Sequence, residues 1–271
     1  MRDLCTVVVC SCDAYSDLAG HFSVLFRKYW PDCPFDTVLV TETRPENGSS
    51  FSRVMAFGKG GNWCDRLVKA LDGISTPYVF MLCDDYLLSS PVDTAGVLSR
   101  LEQIRSLDGV NLRMIPNPQL RRSNSFPVER ANPPLFAYRK DTAYCIATQA
   151  GFWNREFLRN LAEGKSSIWE FERHGSFSVG DESRPILVVP EKEFPFVDAV
   201  HKGHWEKFGL ALCRENSIEV DLKRRALPPL PARFKEFLKS LVFAAVPNTL
   251  IVKIQNALSL GAKEKGGRKG F

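Results

Sequence analysis

Short runs of continuously apolar residues, separated by segments of helical period, constrain this chain more than any other feature. Thr6 to Cys10 is rich in β-branched residues and has no 3.6-residue period. Thr37-Val38-Leu39-Val40, within the stretch Phe35 to Thr41, and then Tyr78 to Leu82 repeat that character. Strands that read as unbroken hydrophobic runs are covered on both faces, as in parallel sheets whose crossovers are helices. The intervening segments supply such helices. Leu18, Phe22, Leu25, Phe26 and Tyr29 fall on one helical face, Ser16 or Asp13 stands where a cap is needed, and Pro31 and Pro34 stop the helix. Leu67, Val68, Ala70 and Leu71 predict a second helix from Trp63, closed at Gly73, and Pro77 forbids its extension. Val97, Leu98, Leu101 and Ile104 predict a third over 94–106. The opening is therefore strand, helix, strand, the start of an α/β sheet.

The second half is less regular. Residues 111 to 140 are rich in Pro, Asn and Arg, with Arg121-Arg122-Ser123-Asn124-Ser125 inside them, and read as long loops with one hairpin. Short helices are expected at Trp153 to Leu161 and at Ser166 to His174, and a strand at Ile186 to Val189. After Pro228-Pro229-Leu230-Pro231 the character changes. Arg233 to Ala257 has a helical pattern interrupted near Pro247, and a basic tail follows. The division expected is a domain over 1–225, then a Pro-rich linker, an amphipathic helical segment and a basic tail over 226–271.

With 271 residues, 44% hydrophobic and 25% charged, the chain can bury a substantial core. A net charge of +5 is too mild for a nucleic-acid binder, so no nucleic-acid partner is expected. It suits an anionic small substrate or an anionic membrane surface. The eight cysteines include no C-x-x-C pair, which argues against a zinc ribbon. Cys10 and Cys83 sit in apolar runs, as buried reduced thiols do, and imply a reducing compartment. No secretory signal is evident, and the run Leu241 to Val246 is broken by Pro247-Asn248, well short of the roughly 20 apolar residues a spanning helix needs. A soluble or peripheral cytoplasmic protein is expected.

The sharpest chemical feature is Asp84-Asp85 directly after the run Tyr78 to Leu82. In open α/β sheets ligands bind beyond the carboxyl ends of the strands. Adjacent carboxylates repel, and a hard cation relieves them. Magnesium or manganese prefers a few carboxylates together with phosphate oxygens. The competing reading is a capping aspartate or a solvated acidic pair.

Tyr78-Val79-Phe80-Met81-Leu82-Cys83-Asp84-Asp85-Tyr86 resembles the aspartate motif of GT-A type nucleotide-sugar glycosyltransferases. Ser11-Cys12-Asp13-Ala14-Tyr15-Ser16-Asp17 resembles the nucleotide-facing loop of that fold, and Trp63-Cys64-Asp65-Arg66-Leu67 the helix before the aspartate strand. Gln149-Ala150-Gly151-Phe152-Trp153 and Trp169-Glu170-Phe171-Glu172 resemble the acceptor side of bacterial surface-polysaccharide transferases. The likeness runs in order over roughly residues 4 to 210. It implies an α/β, GT-A-like Rossmann-type mixed sheet flanked by helices, with a C-terminal helical extension. It departs at Cys83, where many relatives carry an acidic residue, leaving two carboxylates where they have three.

What the resemblance implies can be stated residue by residue. Asp85 binds a divalent metal, manganese or magnesium, and Asp84 the ribose or the metal shell. Asp13, Asp65 and Arg66 face the nucleotide; on residue type alone, Asp65 and Arg66 are equally a helix N-terminal acid and a surface base. Glu170, ahead of Glu172, takes the acceptor proton; on residue type alone each is a surface glutamate. In His201-Lys202-Gly203-His204, His201 supplies a further metal ligand and Lys202 neutralises the diphosphate. The plainer reading is surface histidines on a loop that contains Gly203. The implied partners are a nucleoside-diphosphate sugar and a glycan or lipid-linked glycan acceptor. Phe234, Phe237, Leu238, Leu241 and Val242, interleaved with Arg233, Lys235 and Lys239, could lie on anionic lipid at the inner face of the membrane, or pack back on the domain. The alternatives are a nucleotidyltransferase, against which the glycine-free loop Ser11 to Ser16 counts, and a noncatalytic carbohydrate-binding or scaffold protein.

Overall fold

The computed structural model describes residues 1–45, 51–116, 124–139, 142 and 144–229. The expected turn at Asn47 to Ser50, much of the Arg121-Arg122 segment and the C-terminal segment from 230 onward lie outside the described residues.

The first half follows the apolar pattern. Strand β1 (Cys5–Cys10) leads through a short 3-10 turn into helix α1 (Ser16–Tyr29), then β2 (Asp36–Thr41). An edge strand β3 (Arg53–Ala56), helix α2 (Trp63–Asp72) and strand β4 (Tyr78–Cys83) complete this half. These four strands run parallel in the order β3-β2-β1-β4. Alternate residues of β1 and β4 feed separate cores. Val7, Val9, Phe80 and Leu82 pack with α1 through Leu18, Phe22 and Leu25. Val8, Val79 and Met81 pack with Leu67 and Leu71 of α2. That two-sided cover is why these strands carry no alternation.

The chain then forms β5 (Tyr86–Leu88), α3 (Thr94–Ser106), β6 (Asn111–Arg113), β7 (Ser125–Pro127), β8 (Phe136–Tyr138), β9 (Gly151–Asn154), α4 (Arg155–Ala162), α5 (Ile168–Ser178) and β10 (Ile186–Val188). It closes with β11 (Phe196–Asp198), the hairpin β12 (Val200–His201) and β13 (His204–Trp205), and α6 (Lys207–Glu215). Strand β9 runs antiparallel to β4 and joins it to β6, giving a nine-stranded sheet in the order β3-β2-β1-β4-β9-β6-β10-β8-β7. The molecule is the mixed α/β sheet flanked by helices that the sequence implies.

Several local expectations are corrected. Trp153 lies in β9, and the helix begins only at Arg155, capped by the Asn154 side chain. Within 111–140, among the described residues, three-residue strands punctuate the expected loops, and β7 with β8 forms the expected hairpin. Neither Ser16 nor Asp13 caps α1, because the Asp13 carboxylate turns to Thr43. Gly151 marks the junction of the two sheet halves: a Cβ there would lie 2.5 Å from the Leu112 carbonyl oxygen, so no larger residue fits without movement. Among the described residues no helix is long and apolar enough to cross a membrane.

Candidate active site

Strand β4 delivers Asp84 and Asp85 to the C-terminal edge of the parallel strands. The Asp84 backbone N–H donates to the Cys10 carbonyl at 3.1 Å, extending the β1–β4 ladder by one bond. Its side chain is buried, and the Ser11 hydroxyl donates to Oδ2. Burial pushes the Asp84 carboxyl well above the usual range and Asp85 adds to it, against the Ser11 bond and Arg225. Asp85 is half-buried, and its carbonyl accepts from the Ala199 N–H at 2.8 Å. The β5–β11 pairing sets Asp198 opposite Tyr86, so a third carboxylate arrives beside Asp85. Burial first, and Asp198 second, push Asp85 up to about 7. Asp198 is itself raised by burial, with Lys192, His201 and Arg113 opposing.

Asp198 was not singled out from the sequence. Its only signal is the register of β11 on β5, which no local pattern reveals. A cluster of carboxylates under mutual repulsion suits a divalent cation. Among the described residues, no three His, Cys, Asp or Glu side chains converge as a ready cage. The donor set therefore fits magnesium or manganese held by one or two carboxylates and completed by substrate oxygens.

On one flank, the loop after β1 meets the ends of β2 and α2. The Asp13 carboxylate accepts from the Thr43 N–H (3.0 Å) and hydroxyl (2.9 Å), and pairs with Lys59 at 3.2 Å. Loss of solvent pushes the Asp13 carboxyl up, but the Thr43 and Lys59 bonds outweigh it and hold the group below its usual range. Glu42, just beyond β2, links both expected nucleotide-facing groups. It accepts from the Asp13 N–H at 2.9 Å and from Arg66 Nη1 at 3.0 Å. Arg66 is buried and also donates to the Gly61 carbonyl, so it is no surface base. Asp65, by contrast, is exposed, and its carboxylate accepts from the Asn62 N–H while Asn62 accepts from the N–H groups of Cys64 and Asp65. That reciprocal capping box occupies Asp65 at its own helix terminus. An open groove of about 540 Å³ runs along this flank, lined by Asp13, Asp17, Thr43, Arg44 and Lys59 among others.

On the other flank the structure separates the two candidate bases. Glu170 serves the start of α5. Its Oε2 accepts from the Ser166 N–H at 2.7 Å and from the Ser166 hydroxyl, and Oε1 lies 3.3 Å from His174 Nδ1. The Ser166 hydroxyl bond, foremost, holds this carboxyl below its usual range, the wrong direction for a base. Glu172 is two residues on, about 200° round the helix. Its Oε1 accepts from the Thr148 N–H (2.8 Å) and hydroxyl (2.7 Å), and Oε2 makes no hydrogen bond among the described residues. The Glu172 charge acts on Cys83 and Tyr86, the residues that bracket Asp84-Asp85. Glu170 is thus engaged at the start of its own helix, while Glu172 ties α5 to Thr148.

His201 and Lys202 are exposed on the β12–β13 hairpin, where Lys202 and Gly203 both take positive φ (50° and 79°) in a tight two-residue turn. His201 acts on Asp198, which puts the hairpin on the acidic side of the site. Arg225, also missed from the sequence, is buried beside it. Its guanidinium lies 4.4 Å from the Tyr15 ring centroid and acts on both Asp84 and Asp85.

No protein-family model matches the chain, and no curated protein matches it. Solved structures similar to it include the mannosyltransferase PcManGT from Pyrobaculum calidifontis in complex with GDP-Man and Mn2+ (12% identity, 100% of this chain and 77% of that one, TM-score 0.48). They also include S. aureus TarS 1-349 (13% identity, 71% of this chain, TM-score 0.44), of which the chain spans 59%. A nucleotidyl transferase from Methanothermobacter thermautotroptrophicus is a further one (13% identity, 69% of this chain and 87% of that one, TM-score 0.42).

Proposed function

We propose that the chain is a glycosyltransferase that moves a sugar from a nucleoside-diphosphate donor to a hydroxyl of a glycan acceptor. The acceptor is lipid-linked, in lipopolysaccharide, O-antigen or capsule assembly, at the cytoplasmic face of a membrane that the segment 226–271 contacts. The observation that supports this most is the pair Asp84 and Asp85 at the carboxyl end of β4, with Asp198 brought beside Asp85 by the register of β11 on β5.

Asp85 and Asp198 would hold the divalent cation together with oxygens of the diphosphate, His201 would stand beside Asp198 without completing a three-residue cage, and Asp84, fixed by Ser11, would turn to the ribose. A cation bound there would supply charge stabilisation for the departing diphosphate. The chain's own residues do the rest. Glu42 orients Asp13 and Arg66, which face the nucleotide together with Lys59. Lys202 meets the diphosphate as an electrostatic partner. Glu172, fixed through Oε1 by Thr148, accepts the acceptor proton at Oε2, and attack from the face opposite the diphosphate inverts the anomeric centre. Asp65 is left to its capping box and Glu170 to α5.

The test is a thermal-shift screen of UDP-, GDP-, dTDP- and CMP-linked sugars with and without manganese, since a ligand of the folded state raises the melting temperature. A manganese-dependent rise for one donor class, absent in Asp85→Ala, is expected. A folded protein that responds to none of them would contradict the reading.

A further inference from the structure

The hairpin that carries His201 and Lys202 is too small to hold its own position. It has two residue pairs, Val200 with Trp205 and His201 with His204. Isolated two-stranded hairpins are marginal at best in water. Its tip must therefore be fixed from outside, and Arg225 reaches it, beside Tyr15, which also meets the Gly203 backbone. Nη1 donates to the Gly203 carbonyl at 3.1 Å. Nη2 donates to the Ala14 carbonyl at 2.9 Å and to Asp17 Oδ1 at 3.1 Å. One planar guanidinium thus joins the hairpin tip, the loop after β1 and the first turn of α1, and it is 5% exposed while doing so. Its neighbours reinforce the junction. Arg224 donates to the Asp13 carbonyl at 3.2 Å and to the Ser16 hydroxyl at 2.9 Å. The Trp205 N–H donates to the Ala226 carbonyl at 3.1 Å.

We propose that Arg225 is a positioning residue: it latches the β12–β13 turn to the loop after β1 and so fixes Lys202 and His201 beside the Asp85–Asp198 pair, where a nucleoside diphosphate is held. The latch stands on the contacts alone; its effect on diphosphate binding rests on the transferase reading. Lysine can reach one of these acceptors but cannot bridge all of them, so it should restore the latch in part.

The experiment uses the full chain as wild type, Arg225→Ala and Arg225→Lys, with two readouts. Hydrogen exchange over 200–205 should accelerate about tenfold in Arg225→Ala, and less in Arg225→Lys, while β1 and β4 stay protected. Titration of UDP and GDP with manganese should show affinity about tenfold weaker in Arg225→Ala, partly recovered in Arg225→Lys. Unchanged hairpin exchange in folded Arg225→Ala overturns the latch. Faster exchange with wild-type affinity overturns its role in binding. If wild type binds neither nucleotide, the transferase reading fails while the exchange arm still decides the latch. Should Arg225→Ala not fold, Arg225→Lys decides, since one ammonium cannot bridge the Gly203, Ala14 and Asp17 acceptors together; unchanged hairpin exchange there overturns the proposal.

Discussion

On one side of the junction between β4 and β9 the strands run parallel, and β1 and β4 are each six residues long with almost unbroken burial. On the other side the pairing is mixed, antiparallel on both edges of β9 and parallel between β6 and β10, and the strands shorten to four residues in β9 and three in β6. The parallel half is fixed by local pattern and by helices that cover both faces. The other half is held by long-range pairing, by loops and by side chains such as Glu172 that tie one segment to another. The acidic pair sits at the junction. Its own position is set by the first half, and the groups that would act with it, Glu172, Asp198 and the β12–β13 hairpin, are supplied by the second.

Exchanging the two glutamates of α5 probes that division most strongly. Glu172→Gln should lower kcat about a thousandfold with donor affinity retained, the scale of a lost general base. Glu170→Gln should keep kcat within about twofold and cost about 1 kcal/mol of stability, as a weakened helix cap does. Steady-state kinetics with thermal melts of both variants separates the outcomes. If Glu170→Gln is the inactive one, the division drawn here between a capping and a catalytic glutamate is wrong.

Gly151→Ala strikes the junction itself. The new Cβ meets the Leu112 carbonyl oxygen at 2.5 Å, a backbone atom in the middle of the sheet. A loss of about 2 to 3 kcal/mol in urea unfolding is expected. A change under about 0.5 kcal/mol, the size of an ordinary surface substitution, would show that the halves are coupled more loosely than their register implies.

Asp85 gives the junction a pH signature. Its folded pKa is raised to about 7, so the folded state holds the proton more tightly than the unfolded chain does. That contribution to stability is complete below the unfolded carboxyl pKa and is lost as pH rises through about 7. Asp85→Asn removes the loss. In chelator-treated protein it should be more stable than wild type by about 2 kcal/mol at pH 8, with a smaller gap at pH 5, after discounting for partial exposure. A gap that does not widen with pH would show that the Asp85 carboxylate is already relieved.

The smallest effect belongs to the parallel half. Asn62→Ala removes the capping box of α2 and should cost about 1 kcal/mol in thermal melts, with Arg66 still held by Glu42. A much larger loss would mean that the start of α2 carries more of the Glu42–Arg66 flank than its cap.

What could be read from the sequence follows the same division. The runs at Thr6 to Cys10 and Tyr78 to Leu82 announce buried parallel strands because composition alone sets them, and Asp84-Asp85 is visible because it follows such a run directly. Trp153 reads as the start of a helix, since the four residues Gly151 to Asn154 show no period and only pairing with β4, through Met81, Phe80 and Val79 among others, makes them a strand. Glu170 and Glu172 are indistinguishable until Ser166 claims one and Thr148 the other. Asp198 and Arg225 have no local signal: one depends on the register of β11 against Tyr86, the other on a bridge of 208 residues to Asp17.

The most direct measurement is calorimetric titration of wild type and Asp85→Asn with the nucleoside diphosphate of the donor class that responds, with and without manganese. Manganese should strengthen binding to wild type at least about tenfold and have little effect on Asp85→Asn. Equal affinity with and without manganese, unchanged in Asp85→Asn, would contradict the assignment of the acidic pair to a metal-bridged diphosphate.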